Sequence, residues 1–81
     1  DYRMAKVTKK PRVIEAFQLV RGEPWPQGVH GENGEMYVIT IQGVKTPITY
    51  GEWVMPEGDG VHFYPCANEV FLNTYHFVEE D

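Results

Sequence analysis

The side chains best suited to nucleophilic or metal chemistry are one cysteine and three histidines: Cys66, His30, His62 and His76. His62 and Cys66 are four residues apart, and a histidine beside a thiol can act as its general base. Pro65 lies between them, so no single helix is expected to join the two. The chain has no serine and none of the CxxC, HxH or HExxH spacings of metal sites. We therefore predict an inert, buried thiol, no catalytic residue, no metal and no other cofactor.

Three carboxylates, Glu52, Glu57 and Asp59, lie close together around a glycine-rich turn. Carboxylates held a few ångströms apart can perform general acid–base catalysis. Carboxylates in turns more commonly accept hydrogen bonds from backbone N–H groups, and this is the role expected here. Their charge also makes the same three residues candidates for contact with a protein partner.

Aromatic side chains are numerous, with two Trp, five Tyr and four Phe. Most must form the core, but Trp25 and Tyr50 are candidates for a slot in which a flat ligand stacks. Trp25 lies between two prolines, where it either pins a loop to the core or is exposed for binding. Three cations, Lys9, Lys10 and Arg12, could meet the phosphate of such a ligand. Together these five residues are the predicted ligand-binding set.

Charge is divided unevenly along the chain, whose formal net charge is −5. Five of the seven basic residues fall within the first twelve positions, whereas the rest of the chain is strongly acidic. The acidic remainder of the chain, here called the acidic body, repels phosphates, so binding of duplex nucleic acid is not expected. The basic arm could instead hold a small anion, or the acidic body could dock on a basic protein. A solvated surface with no binding role would show the same division.

At 81 residues the chain is long enough for one domain. We predict a basic N-terminal arm over residues 1–11 and a single β-rich domain over residues 12–81. A lone cysteine cannot form an intramolecular disulfide, which excludes the secreted disulfide scaffolds and favours a reducing cytoplasm. No apolar run approaches the roughly 20 residues that span a bilayer, so no membrane association is expected.

Short apolar runs separated by turn residues predict a mainly β fold. A strand over 12–20 is apolar on both faces and is expected at the centre of a sheet. A loop follows over 21–34 and ends in the turn pair Asn33-Gly34. Alternation over 35–42 and 44–50 then predicts a hairpin, with Pro47 favouring an edge position.

The second half of the domain is predicted as two short strands, at 52–55 and 61–64, around a turn at 56–60. Pro65 is expected to stop the second strand, and Asn68 to cap a helical turn near 68–72. A last strand is predicted over 74–78. The prediction is thus a small antiparallel sheet of five or six short strands, curled or partly closed into a barrel.

Three phrases recur in order along the chain: KKPRVIEAFQ at 9–18, GEWV at 51–54 and FYPC at 63–66, followed by Phe71 and Thr74-Tyr75. They resemble a family of small proteins encoded by tailed phages and prophages. The resemblance covers about half the chain. This chain departs from the family pattern at two positions: Glu52, where the family has Asp, and Arg12, where the family has an apolar residue. It also has one extra residue in the 55–61 turn. The family supplies no activity or functional residue. The resemblance implies a setting: a phage product in the host bacterial cytoplasm, acting on host machinery or host defence.

These observations lead to one function hypothesis and two rivals. The first is a non-enzymatic, phage-encoded binding protein that blocks or sequesters a host protein or a small anionic signalling nucleotide. A structural or assembly accessory of the virion, joined through an edge strand as a homo-oligomer, is the second. A small enzyme is the third. An aromatic pocket with Lys or Arg favours sequestration, and a flat acidic face favours a protein target.

Overall fold

The computed structural model describes residues 5–6 and 12–78, so Lys9 and Lys10 lie outside the described part of the chain. Within it are six strands and one helix: β1 (Phe17–Gln18), β2 (His30–Glu32), β3 (Glu35–Ile39), β4 (Lys45–Pro47), β5 (Trp53–Pro56), β6 (Phe63–Cys66) and α1 (Asn68–Thr74). The strands form two antiparallel three-stranded sheets that do not close into a barrel. The predicted mainly β class with one short helix is confirmed.

The second half of the chain supplies most of the first sheet, in the order β1-β5-β6. Val54 in β5 pairs with Phe17 of β1 on one side and with Pro65 of β6 on the other. Beyond β1 the chain stays beside the start of β5, because the Leu19 N–H donates to the Glu52 carbonyl at 2.8 Å. It also accepts from Gly51 N–H at 2.7 Å.

A tight hairpin organises the second sheet, in the order β2-β3-β4. Asn33 and Gly34 both have positive φ, 54° and 79°, as a two-residue hairpin turn of the primed kind requires. The turn pair predicted from sequence is therefore confirmed. Pro47 lies in β4, which is an edge strand as its missing N–H predicts.

The main core lies between the two sheets, where β3 and β4 contact β6. Leu19, Val38, Ile48 and Val54 are almost completely buried there. Met55, the next residue along β5, points to the opposite face and is also buried. On that face α1 contributes the buried Phe71, which stacks on Trp53 of β5. The strand β5 is therefore covered on both faces. It is β5, and not the first strand, that occupies the centre of its sheet.

Three element predictions are wrong. The strand expected over 12–20 shrinks to β1, which lies at an edge; only two of its residues find partners on the four-residue β5. Residues 30–32, expected in a loop, form β2, because the Asn33-Gly34 turn folds them back on β3. Residues 75–78 form no strand.

Two single-residue predictions also fail. Pro65 lies inside β6 and does not end it. Because β6 is an edge strand, the Pro65 nitrogen, which carries no hydrogen, can face away from the neighbouring strand. Asn68 is helical and Ala67 is the N-cap, with no side-chain capping bond. The Asn68 side chain instead accepts the Trp53 indole N–H at 2.9 Å.

In the described part of the chain α1 is the one helix, and it is too short and too polar to cross a bilayer.

Candidate functional site

A cleft of about 620 Å³ lies between residues 12–17 and the turn joining β5 to β6. We call it the Arg12 cleft; its walls are Arg12, Val13, Ile14, Glu15, Phe17, Gln27, Pro56, Glu57, Gly58, Gly60, Phe63, Tyr64 and Tyr75. A smaller cleft of about 340 Å³ also contacts residues 12–17 and reaches Trp53, Phe71 and Phe77. Residues 12–15 and Phe17 therefore line both clefts, which places Arg12 at each of them.

Four aromatic side chains line the Arg12 cleft: Phe17, Phe63, Tyr64 and Tyr75. Phe17 is half exposed, so a face of its ring is available. The Phe63 ring packs directly against Gly28, where any added Cβ would collide with it. Burial, with a smaller contribution from the neighbouring Tyr75 hydroxyl, raises the pKa of Tyr64 to about 12. Tyr64 is therefore neutral at physiological pH and able to donate a hydrogen bond.

The charges in this cleft are mixed. Arg12 is exposed and is the one cation among the described residues that line it. Glu15 and Glu57 lie in the same walls. One Glu57 oxygen is engaged, because it accepts the Ile41 N–H at 2.9 Å and ties the β5–β6 turn to the end of β3. The two carboxylates reduce the positive potential beside Arg12 and so disfavour a polyanion there.

Trp25 and Tyr50 line one cleft, but it is a different cleft from that of Arg12. This Trp25 cleft has a volume of about 570 Å³, and its walls are Arg21, Trp25, Gly31, Glu32, Asn33, Gly34, Glu35, Met36 and Tyr50. It shares no lining residue with the Arg12 cleft. Trp25 is 46% exposed, and the Arg21 guanidinium lies 4.4 Å from the centre of the Tyr50 ring. The predicted ligand set is thus divided between two places, with Arg21 as a cation that sequence reasoning missed.

The three carboxylates do not share one turn, because Glu52 precedes β5 whereas Glu57 and Asp59 follow it in the β5–β6 turn. All three have partners within the chain. Glu52 accepts the Thr49 N–H at 2.8 Å, and Glu57 accepts Ile41 as described. Asp59 accepts the N–H groups of Val61 and His62 at 2.9 and 2.8 Å. These are the backbone-binding roles expected of turn carboxylates.

An Asp59–His62 pair is the polar contact that sequence reasoning missed. His62 Nδ1 lies 2.5 Å from Asp59 Oδ2. The hydrogen bond from the His62 side chain, followed by the two backbone bonds, holds the pKa of Asp59 well below its usual range. The spacing Asp-x-x-His after a glycine was the available signal, because a turn returns position i+3 to position i.

Cys66 does not form a dyad with His62 in this arrangement. The thiol is half-buried and its Sγ lies 3.6 Å from the Ala67 carbonyl. Burial, and to a lesser extent the charge of Glu52, raises the pKa of Cys66, which disfavours the reactive thiolate. Among residues 5–6 and 12–78, no group of three His, Cys, Asp or Glu side chains is placed to hold a metal ion.

Comparisons with protein-family models, with curated proteins and with solved structures find no match to this chain. Function is therefore inferred from the two clefts and from the charges around them.

Proposed function

We propose that this protein is a non-enzymatic, phage-encoded binding protein that sequesters a small, planar, weakly anionic molecule of its bacterial host. The nucleotide class is the ligand that fits this description. The observation that carries the proposal is the joint presence of Arg12 and four aromatic side chains in one cleft, the Arg12 cleft. The phage setting rests on the phrases at 9–18, 51–54 and 63–66.

The size and lining of the Arg12 cleft favour a flat ligand. Its volume falls within the roughly 300–1,000 Å³ of small-molecule sites, which combine apolar walls with a few polar groups. Bases stack on aromatic rings with about 1–3 kcal/mol per base, and this attraction does not depend on base identity. Tyr64 and Gln27 add hydrogen-bonding groups at the same walls.

The anionic part of the ligand is assigned to Arg12. A guanidinium binds phosphate through two parallel hydrogen bonds, which fixes the orientation of the group as well as its charge. The sequence places Lys9 and Lys10 directly before Pro11 and Arg12, so further positive charge is close along the chain. Glu15 and Glu57 limit that charge, which favours a nucleoside monophosphate or a cyclic mononucleotide over a triphosphate.

Thermal shift measures this binding directly. Nucleoside monophosphates and cyclic mononucleotides form the test panel, with the parent nucleosides and inorganic phosphate as separate arms. At about 100 times its Kd a ligand stabilises the fold by about 2.7 kcal/mol. A domain of this size gains about 4–8 °C in Tm per kcal/mol, so a shift of about 10–20 °C is expected.

Arg12→Gln should remove that shift while leaving the ligand-free Tm unchanged, because Arg12 is exposed. Arg21→Gln is the matched control, since Arg21 lies in the Trp25 cleft and should bind the panel normally. The proposal is wrong if no member of the panel stabilises the protein, or if Arg12→Gln responds as the unmodified protein does.

A host protein is the second candidate target, and the turn between β5 and β6 favours it. This turn presents the charged Asp59 beside Val61, which is 69% exposed. Neutralising Glu52, Glu57 and Asp59 together would weaken capture of a basic partner. It would also reduce the salt dependence of that capture. The same change would leave Arg12 in place.

A further inference from the structure

Two turns of this protein place a glycine directly after Asn or Asp: Asn33-Gly34 between β2 and β3, and Asp59-Gly60 between β5 and β6. A glycine at that position offers a backbone nitrogen that no side chain of its own residue shields. Such a nitrogen can attack the side-chain carbonyl carbon of the preceding residue and close a five-membered succinimide ring. The two pairs share this chemistry, but their surroundings in the fold differ.

Asp59 is held away from this reaction. Its Oδ1 accepts the N–H groups of Val61 and His62 at 2.9 and 2.8 Å, and its Oδ2 lies 2.5 Å from His62 Nδ1. Both oxygens are therefore bound by residues that follow Gly60 in the turn. The same bonds hold the pKa of Asp59 well below its usual range, and an ionised carboxylate is a poor target for a nucleophile. We expect no ring closure at Asp59 in the folded protein.

Asn33 has none of these restraints. Asn33 and Gly34 are both exposed, and they are the two central residues of the hairpin turn that joins the paired residues Glu32 and Glu35. In the described part of the chain, neither the Asn33 side-chain amide nor the Gly34 N–H has a hydrogen-bond partner. A Cβ built at Gly34 meets nothing within 4 Å, so the space beside it is open. Water therefore reaches both groups, and the amide is free to turn toward the Gly34 nitrogen.

The other two asparagines of the chain, Asn68 and Asn73, lie in α1. Asn68 Oδ1 accepts the Trp53 indole N–H at 2.9 Å, which fixes its amide. Asn73 is followed by Thr74, whose β-branched side chain crowds the next backbone nitrogen. Asparagine is among the thermolabile residues of proteins, but the fold leaves only Asn33 with both a free amide and a following glycine.

We propose that Asn33 is a modification site at which the folded protein deamidates without an enzyme. The Gly34 nitrogen attacks Asn33 Cγ, and the new C–N bond closes the succinimide ring. The side-chain nitrogen leaves as ammonia and takes with it the proton that the Gly34 nitrogen gives up. Water, the one co-reactant, then opens the ring at either of its two carbonyl carbons. The products are aspartate and isoaspartate at position 33, and no group is oxidised or reduced.

Either product adds a negative charge between Glu32 and Glu35, in the wall of the Trp25 cleft. Glu32 already lies 3.2 Å from Lys45, so that cation is shared with a further carboxylate. Isoaspartate also lengthens the backbone by one methylene group, which a two-residue turn cannot absorb without disturbing the pairing beside it. The modification therefore alters the Trp25 cleft and leaves the walls of the Arg12 cleft unchanged.

Peptide mapping by mass spectrometry tests the proposal. The intact protein is incubated in mildly alkaline buffer, beside a sample kept unfolded in denaturant, and each asparagine is scored for exchange of its NH₂ for OH. We expect conversion at Asn33 in the folded protein, with isoaspartate among the products, and little at Asn68 or Asn73. Asn33 that stays intact in the folded sample overturns the proposal, whether or not the unfolded chain reacts. Conversion of Asn68 or Asn73 at the rate of Asn33 overturns it equally.

Two variants separate the contribution of the fold from that of the sequence. Asn33→Gly removes the amide and keeps a residue suited to positive φ, so its turn should show no conversion. Asp59→Asn places a second Asn-Gly pair in the β5–β6 turn, where the side-chain oxygen can still accept the N–H groups of Val61 and His62. In the folded protein position 59 of this variant should react far more slowly than position 33, and the two should react at similar rates in denaturant. Equal rates in the folded protein would refute the assignment of reactivity to the free Asn33 amide.

Discussion

Trp53 joins the helix to the first sheet through a single side chain. Its ring stacks on Phe71 with centres 3.9 Å apart and planes 8° from parallel, and its indole N–H reaches Asn68. We expect Trp53→Ala to destabilise the protein by about 3–5 kcal/mol, as truncation of large packed aromatics does. Chemical denaturation measures this loss.

Trp53→Phe is the matched control for that measurement. It keeps a ring against Phe71 and removes the hydrogen bond to Asn68. Beyond the effect of burying a smaller ring, it should lower the free energy of unfolding by only about 1 kcal/mol. If Trp53→Ala unfolds at nearly the same denaturant concentration as the unmodified protein, the stack is not a structural anchor.

Asp59 should make stability depend on pH. Its pKa is lower in the folded protein than in the unfolded chain, because His62 and two backbone N–H groups bind the carboxylate. The ionised form therefore stabilises the fold at neutral pH, and this contribution is lost as pH falls below about 4, toward the lower folded pKa. We expect Asp59→Asn to be less stable at pH 7 and to differ less from the unmodified protein at acid pH. A constant difference across pH would contradict the pairing.

Cys66 should react slowly in the folded protein. Burial raises the pKa of its thiol, so less thiolate is present near neutral pH than in an unfolded chain. Labelling with a thiol reagent should accelerate on unfolding, and the rate in the folded protein should continue to rise above pH 9. Rapid labelling at pH 7 without unfolding would show an activated cysteine instead.

At the scale of elements, Gly28 fixes how the loop before β2 meets β6. Both Gly22 and Gly28 have positive φ, 88° and 97°, but a Cβ at Gly22 meets open space, whereas one at Gly28 meets the Phe63 ring. Gly22→Ala should cost only the backbone strain, of about 1–3 kcal/mol. Gly28→Ala should cost about 1–3 kcal/mol more, for overpacking. Equal midpoints of thermal unfolding for the two variants would show that Phe63 moves freely aside.

Local patterns predict those elements whose partners lie nearby in sequence. Alternation and the Gln42-Gly43 turn predict β3, β4 and their hairpin, because adjacent strands pair through a short turn. The register of β1 with β5 joins residues more than thirty positions apart. Apolar composition alone cannot show that only Phe17 and Gln18 find partners there, so it predicts a long central strand where a short edge strand forms.

The candidate site shows the same limit at the scale of the whole molecule. Sequence identifies Arg12, Trp25 and Tyr50 as residues with binding chemistry, and the structure places each in a cleft. It cannot tell that Arg12 and Trp25 belong to different clefts, because that depends on how the two sheets pack. The aromatic walls next to Arg12 come from β1, β6 and the segment after α1, which meet only in the folded protein.

The central claim is that the Arg12 cleft holds a small anionic ligand, and mass spectrometry of what the protein carries tests it most directly. The protein and its Arg12→Gln and Arg21→Gln variants are purified from bacteria, denatured, and their released small molecules compared. We predict that the unmodified protein and Arg21→Gln release the same phosphate-containing planar compound, close to one per chain, and that Arg12→Gln releases almost none. Empty unmodified protein that also remains empty after incubation with bacterial metabolite extract, or equal recovery from Arg12→Gln, would contradict the account.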